Sequence, residues 1–207
     1  MKLLVLGATG GTGRQVVSQA LAAGHTVTAY VRKAMSTAQA QGARIASGDA
    51  ASATALERAV AGQDAVVSAL GRGTSLSSEN LMSRSMRALA PIMARCEVPR
   101  LIFLSAHGVG ASRADVPLVP RLFHSLLLRD IFADKQAAED YLRTTRLEWT
   151  VVQPVALTDG PHTGNYRAGE RLELRGIPKI ARADVADFIL AELREPAYVR
   201  KSVVISY

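Results

Sequence analysis

Near its start the chain runs Lys2-Leu3-Leu4-Val5-Leu6 and then breaks into Gly7-Ala8-Thr9-Gly10-Gly11-Thr12-Gly13. An aliphatic run that stops at glycines, followed by Val16, Val17, Ala20 and Leu21 on one helical face and a closing Gly24, reads as strand, glycine loop and helix over 15–23. The spacing G-x-x-G-x-x-G needs glycine for steric reasons. A Cβ would block the tight turn, the approach of backbone N–H groups to a pyrophosphate, and the packing of helix on strand. The helix N-terminus then faces the anion. In a chain with 16 glycines the bare spacing says little; its position directly after an N-terminal strand makes it specific.

The same alternation continues. Strands are expected at 26–31, 44–47, 65–69, 101–105, 149–153 and 202–206, with helices at 55–61 and 184–193 and an amphipathic region over 119–142. Met82, Met86, Leu89 and Met93 recur at helical spacing and read as core; Pro91 inside that pattern is expected to kink or shorten the helix. Residues 154–181 hold Pro154, Gly160, Pro161, Gly164, Gly169, Gly176 and Pro178, which implies loops with short strands around Tyr166 and Leu172. Strand and helix in alternation predict an α/β fold with a parallel sheet.

Composition narrows the function classes. The chain has 207 residues, 48% hydrophobic and 21% charged, enough for one globular unit with a sizeable core. The longest aliphatic stretches fall far short of the ~20 residues of a spanning helix. The run 3–6 is also shorter than the about 7–15 residues of a signal peptide's apolar region. The expectation is a cytoplasmic chain with no membrane partner. One cysteine, Cys96, excludes an internal disulfide and a multi-cysteine metal site, and it reads as a small hydrophobe. No histidine and carboxylate spacing suggests a metal, and no Gly-x-Ser-x-Gly elbow occurs. The net charge of +7 is concentrated in residues 1–100, with 11 basic against 5 acidic side chains. With ten aromatic residues and no basic run longer than two, a phosphorylated small molecule fits this excess better than nucleic acid.

The end of the second strand discriminates between dinucleotides. An acidic residue there holds the adenosine ribose of NAD, whereas arginine accommodates the extra phosphate of NADP. Arg32 and Lys33 stand at that place and no Asp or Glu precedes Asp49, so NADP is expected over NAD.

The segments 7–14, Tyr30-Val31-Arg32, Gly48-Asp49, Gly62-Gln63-Asp64-Ala65-Val66, Leu104-Ser105 and Ala183-Asp184-Val185-Ala186 together resemble the atypical short-chain dehydrogenase/reductase superfamily. Ala69-Leu70-Gly71, Lys135 with Ala138-Glu139, and Pro161-His162-Thr163-Gly164-Asn165-Tyr166 are similar to its NAD(P)H-binding flavin reductase and biliverdin-IXβ reductase group, which has NmrA-like relatives. The resemblance implies a Rossmann-type doubly wound parallel sheet in three α/β/α layers. It implies one NAD(P)-binding domain over 1–207, with substrate-side loops at about 106–119 and 154–181. The resemblance implies Thr9, Gly10, Gly11 and Thr12 on the pyrophosphate, Arg32 on the 2′-phosphate, Asp49 at adenine and Leu70 with Gly71 toward ribose and nicotinamide; Gly7, Gly13, Lys33, Ala50, Ser105, Pro154 and Val155 complete the expected cofactor-binding set.

The chemistry is constrained by an absence. Short-chain dehydrogenases acting on alcohols and ketones use a Tyr-x-x-x-Lys pair, the lysine tuning the tyrosine as an acid. Here Tyr30, Tyr141, Tyr166 and Tyr198 are followed four residues on by Ala34, Thr145, Glu170 and Ser202, Tyr207 is the last residue, and Ile131 sits four before Lys135. Flavins and linear tetrapyrroles delocalise incoming charge and take a proton from solvent, which leaves the protein to hold donor and acceptor together. Ser105, His107 and Lys135 are the candidate catalytic residues, with His162 a weaker one. Two functions are expected in turn: an NADPH-dependent reductase of a small conjugated acceptor, acting as a monomer or small homo-oligomer, or an NmrA-like sensor that binds NADP without turnover.

Overall fold

The computed structural model describes residues 1–32, 42–71, 79–110, 112, 129–174 and 176–207. Ten strands are present there: β1 (Lys2–Leu6), β2 (Thr26–Val31), β3 (Arg44–Ser47), β4 (Ala65–Ser68), β5 (Arg100–Leu104), β6 (Glu148–Pro154), β7 (Ala156–Thr158), β8 (Arg167–Gly169), β9 (Lys179–Ala181) and β10 (Lys201–Ser206). The helices are α1 (Gly11–Ala22), α2 (Ala53–Val60), α3 (Leu81–Arg95), α4 (Arg129–Arg143) and α5 (Arg182–Arg194). Eight strands form one sheet in the order β3-β2-β1-β4-β5-β6-β10-β8, parallel throughout except for β8 against β10. β7 and β9 pair separately.

Side-chain alternation sorts the sheet into two faces. Leu3 and Val5 of β1 join Val27 and Ala29 of β2 under α1 and α5, whereas Leu4 and Leu6 join Val66, Leu101 and Phe103 under α2, α3 and α4. With both faces covered, β4 and β5 are buried along their whole length, as internal parallel strands must be. The doubly wound, three-layer fold expected from the sequence is the observed one.

Pro91 does not end its helix. α3 runs through it to Arg95, and Met82, Met86, Leu89 and Met93 fill the core as their spacing predicts. The start of α3 is held by another helix: Asp134 of α4 accepts from the backbone N–H of Met82 (2.9 Å) and Ser83 (2.8 Å), which have no intrahelical acceptors. Cys96 follows α3 and is only partly buried. The short strand expected at Tyr166 is β8, one residue on, whereas Leu172 lies in irregular backbone. The first part of the amphipathic region at 119–142 and most of the loop at 106–119 lie outside the described residues.

Candidate functional site

The sheet order reverses between β1 and β4, and in open parallel sheets ligands settle at such a switch point, beyond the carboxyl ends of the strands. Here those ends touch. Gly7 has φ +75°, and a Cβ on it would lie 2.4 Å from the carbonyl oxygen of Ala69. A Cβ on Gly13 would lie 2.1 Å from the carbonyl oxygen of Gly7. Both positions therefore exclude any side chain. Gly10 closes the turn through its N–H to the Gly7 carbonyl (2.9 Å) and serves as N-cap of α1 without offering a side chain to the first-turn N–H groups. Those groups face the cradle uncapped, the arrangement that takes a phosphate. Thr12 is buried beside it, and Thr9 is exposed.

Toward β2 and β3, Arg32 is exposed just past the end of its strand; Lys33 lies outside the described residues. Asp49 is exposed, and its Oδ1 accepts from the N–H of Ala51 at 2.9 Å, while Tyr30 Oη donates to the Asp49 carbonyl at 3.1 Å. Ala50 is buried. On the other side of the switch point, Leu70 is half-buried and Gly71 is exposed with open space around its Cα.

Beyond β5 the chain continues beside β6: the N–H of Ser105 bonds the Val152 carbonyl (2.8 Å), and that of His107 the Pro154 carbonyl (2.9 Å). Pro154 and Val155 are both buried at the turn out of β6. Ser105 Oγ donates to Glu139 Oε1 at 2.6 Å, and Lys135 Nζ donates to the Ser105 carbonyl at 2.8 Å. Glu139 is 0% exposed and also accepts from Gln153 Nε2 (3.0 Å) and Arg143 Nη2 (3.0 Å), so its charge is paired and its lone pairs are used. Desolvation lowers the Lys135 ammonium to a pKa of about 8, against the opposing pull of the Glu139 and Asp134 carboxylates. Ser105 and Lys135, two of the candidate catalytic residues, are thus in direct contact. Sequence reasoning gave Glu139, Arg143 and Gln153 no role. The available signal was the spacing of Lys135, Glu139 and Arg143, each four residues apart on one helical face.

The excursion between β6 and α5 is pinned from below. Asp184, in the first turn of α5 and fully buried, accepts from Thr163 N (2.7 Å), Thr163 Oγ1 (2.9 Å), Gly164 N (2.9 Å) and Tyr207 Oη (2.6 Å). Burial alone would raise this carboxyl; the hydrogen bonds from Tyr207, Thr163 and Gly164 outweigh it and hold the pKa below the usual range. Tyr166 Oη donates to Asp187 Oδ2 at 2.7 Å, and His162 Nε2 lies 3.3 Å from Asp187 Oδ1. Burial, then the Asp187 contact, push the Tyr166 phenol well above its ordinary value. Arg182, the first residue of α5, crosses to the glycine loop and donates from Nη1 to Asp159 Oδ1 at 2.7 Å.

Comparison with known proteins follows the same lines. Residues 7–196 match the NAD(P)H-binding family. The chain belongs to that family. An uncharacterized protein of Bacillus subtilis (strain 168), YwnB, is 31% identical over 96% of this chain and 94% of its own length. Among solved structures, SP1627 of Streptococcus pneumoniae TIGR4, an NADH-flavin reductase candidate, superposes with a TM-score of 0.81 at 27% identity, covering 100% of this chain and 99% of its own. ChuY of Escherichia coli O157:H7, an anaerobilin reductase, shares the fold with a TM-score of 0.83 at 24% identity over 99% of this chain and 96% of that one. The NAD(P)H-binding family match, together with a structural neighbour described as an NADH-flavin reductase, places the protein among NAD(P)H-dependent oxidoreductases of the atypical short-chain dehydrogenase/reductase kind. Among the described residues no helix is long and apolar enough to cross a membrane.

Proposed function

We propose that the protein is an NADPH-dependent reductase of a planar conjugated small molecule, a flavin or a linear tetrapyrrole. The observation that carries this reading is the pairing of Lys135 and Ser105 at the end of β5, on the sheet edge that also carries the glycine cradle, with the phenols bonded elsewhere. Tyr30, Tyr166, Tyr198 and Tyr207 all donate to protein oxygens, and Tyr141 lies beneath the Arg87 guanidinium. The cradle fits a dinucleotide pyrophosphate, because the space that a Cβ at Gly7 or Gly13 would take is the space that closes the loop. NADPH, when bound, supplies the hydride and its two electrons to the acceptor.

The chain's own residues do the rest. The uncapped N–H groups of α1 hold the pyrophosphate, and Arg32, with Lys33 next to it, takes the 2′-phosphate through charge-assisted hydrogen bonds. Asp49 and Ala50 border adenine; Leu70, Gly71, Pro154 and Val155 border the nicotinamide side. Ser105 positions the reacting rings, and Lys135, with a pKa of about 8, keeps a proton near the acceptor at neutral pH. Residues 1–207 act as one nucleotide-binding unit, with the excursion at 154–181 on the acceptor side.

The test is direct. Purified protein mixed with NADPH and FMN, then with NADPH and a biliverdin-type tetrapyrrole, should consume the absorbance of the reduced nicotinamide. Tight NADPH binding with no oxidation in either mixture overturns the reductase reading in favour of a sensor.

A further inference from the structure

Arg182 occupies a position that helix electrostatics does not favour, since a cation in the first turn of α5 meets the positive end of the helix dipole. Its side chain runs away from its own helix and lies over the first residue of α1. An ideal Cβ on Gly11 would stand 2.7 Å from both Cδ and Nε of Arg182 and 3.5 Å from Cζ, so the guanidinium lies in the space that this glycine leaves empty. Its partner, Asp159, belongs to the excursion after β7 and is 87% exposed, whereas Arg182 is 28% exposed. Ion pairs with so exposed a partner are weak and easily exchanged.

The direction of approach matters. Arg32 and Asp49 mark one wing of the sheet, over β2 and β3, while α5 and the 155–181 excursion rise from the β6 and β10 wing. Arg182 therefore reaches the glycine loop from the side opposite the adenosine, where the acceptor is expected. We propose that Arg182 is a specificity-determining residue that grips an anionic group of the acceptor, a phosphate or a carboxylate, with Asp159 holding the guanidinium in place until that group displaces it. The planar fork of an arginine suits either anion. This inference rests on the reductase reading above and adds the requirement that the acceptor carry a negative charge close to the glycine loop.

The test compares two flavins that differ only in that charge. FMN bears a phosphate and riboflavin does not. In the wild type the KM for FMN should be lower than that for riboflavin. Arg182→Gln should erase most of this preference, changing the KM ratio by about tenfold, the size expected for loss of one charge-assisted contact at a partly exposed site. Asp159→Asn, by removing the competitor, should lower the KM for FMN. NADPH affinity, measured separately by calorimetry, should move much less than the FMN KM in Arg182→Gln. Equal shifts for the two flavins in Arg182→Gln, or an NADPH shift as large as that for FMN, would overturn the assignment. Failure of turnover in the wild type would instead count against the reductase reading. Binding of FMN and riboflavin to the NADP-loaded protein, followed by flavin fluorescence quenching, then decides the role of Arg182. Preference for FMN that Arg182→Gln removes supports it, and no preference in the wild type ends it.

Discussion

Ser105 gives its hydroxyl proton to Glu139 across 2.6 Å, and Glu139 is shut off from water. A serine whose one proton is committed inward presents lone pairs outward. On the proposed function it would meet the ligand as a hydrogen-bond acceptor, suited to the amide N–H of a nicotinamide or the N–H groups of a conjugated acceptor. Ser105→Ala should lose about 1 kcal/mol of positioning, roughly a fivefold fall in kcat/KM, with the fold intact. A fall of several orders of magnitude in steady-state assays would mean that the hydroxyl takes part in proton transfer itself.

The same carboxylate organises more than the serine. Glu139→Ala takes the acceptor from the Ser105 hydroxyl and leaves the Gln153 amide with the Val109 carbonyl and Arg143 Nη2 with Ser202 Oγ, so a buried charged network loses its centre. Removing one partner from a buried charged network leaves donors uncompensated, and the expected cost is about 2–4 kcal/mol in urea unfolding. Unchanged stability would show that water replaces the carboxylate.

A pH dependence is expected from Lys135. Its folded pKa is about 8 against an ordinary value of 10.5. If the ammonium supplies or holds a proton for the acceptor, the rate at saturating NADPH should fall as pH rises through about 8, and Lys135→Met should abolish that limb. The stability effect has the opposite sense. Between the folded and unfolded pKa values the unfolded chain binds more protons, so the contribution of Lys135 to stability rises with pH across this window and is lost as pH falls through the folded value. A rate profile that Lys135→Met leaves unaltered would remove the residue from the proton path.

The proposed nucleotide preference rests on Arg32. No acidic residue stands at the end of β2 to hold the free ribose of NADH, and on the proposed reading the Arg32 guanidinium would meet a 2′-phosphate. Arg32→Ala should remove about 1.5–3 kcal/mol of the preference for NADPH in calorimetric titrations. Equal affinities for the two nucleotides in the wild type would refute the expectation.

The glycine loop separates folding from binding. A methyl group on Gly13 would meet the Gly7 carbonyl at 2.1 Å, a backbone atom that cannot give way, so Gly13→Ala should destabilise the domain itself. A Cβ on Gly10 meets that oxygen only at 3.3 Å, so Gly10→Val should fold and yet lose dinucleotide binding, because its side chain enters the anion's space. Native circular dichroism together with the absence of a calorimetric signal is the expected pair of results for Gly10→Val.

How much of this was legible beforehand follows from the range of the interactions. β1, β2 and β3 match the expected spans because short aliphatic runs between glycines are local signals. The glycine at 13 was legible because its steric exclusion, by the Gly7 carbonyl, acts within seven residues of chain, whereas the exclusion at Gly7 comes from Ala69 on a distant strand end. The burial of Glu139 under Ser105, by contrast, joins positions 34 residues apart, and Arg182 meets Gly11 only because α5 packs against α1. Nothing in the local pattern marks such pairs. The continuity of α3 through Pro91 was also illegible: an exposed proline in a helix whose other face is buried is outweighed by the packing of Met86, Leu89 and Met93.

The last prediction concerns the tyrosines. Carbonyl reductases of this superfamily rely on a phenol whose pKa a lysine lowers, but Tyr166 has the opposite environment: burial and the nearby Asp187 and Asp184 carboxylates raise it. Its proton is already held by Asp187 at 2.7 Å, which makes it a strut between the excursion and α5 and a poor acid. Tyr166→Phe should therefore retain turnover within a fewfold while losing about 1 kcal/mol of stability, the cost of one hydrogen bond to a charged partner that stays partly solvated. Tyr141→Phe should be close to neutral in both respects, since its ring packs beneath the Arg87 guanidinium at 5.2 Å and the contact survives loss of the hydroxyl. Steady-state rates and thermal unfolding of the two variants check this together. Loss of activity in Tyr166→Phe by several orders of magnitude, with NADPH affinity and stability preserved, would identify the phenol as a general acid and return the enzyme to carbonyl chemistry.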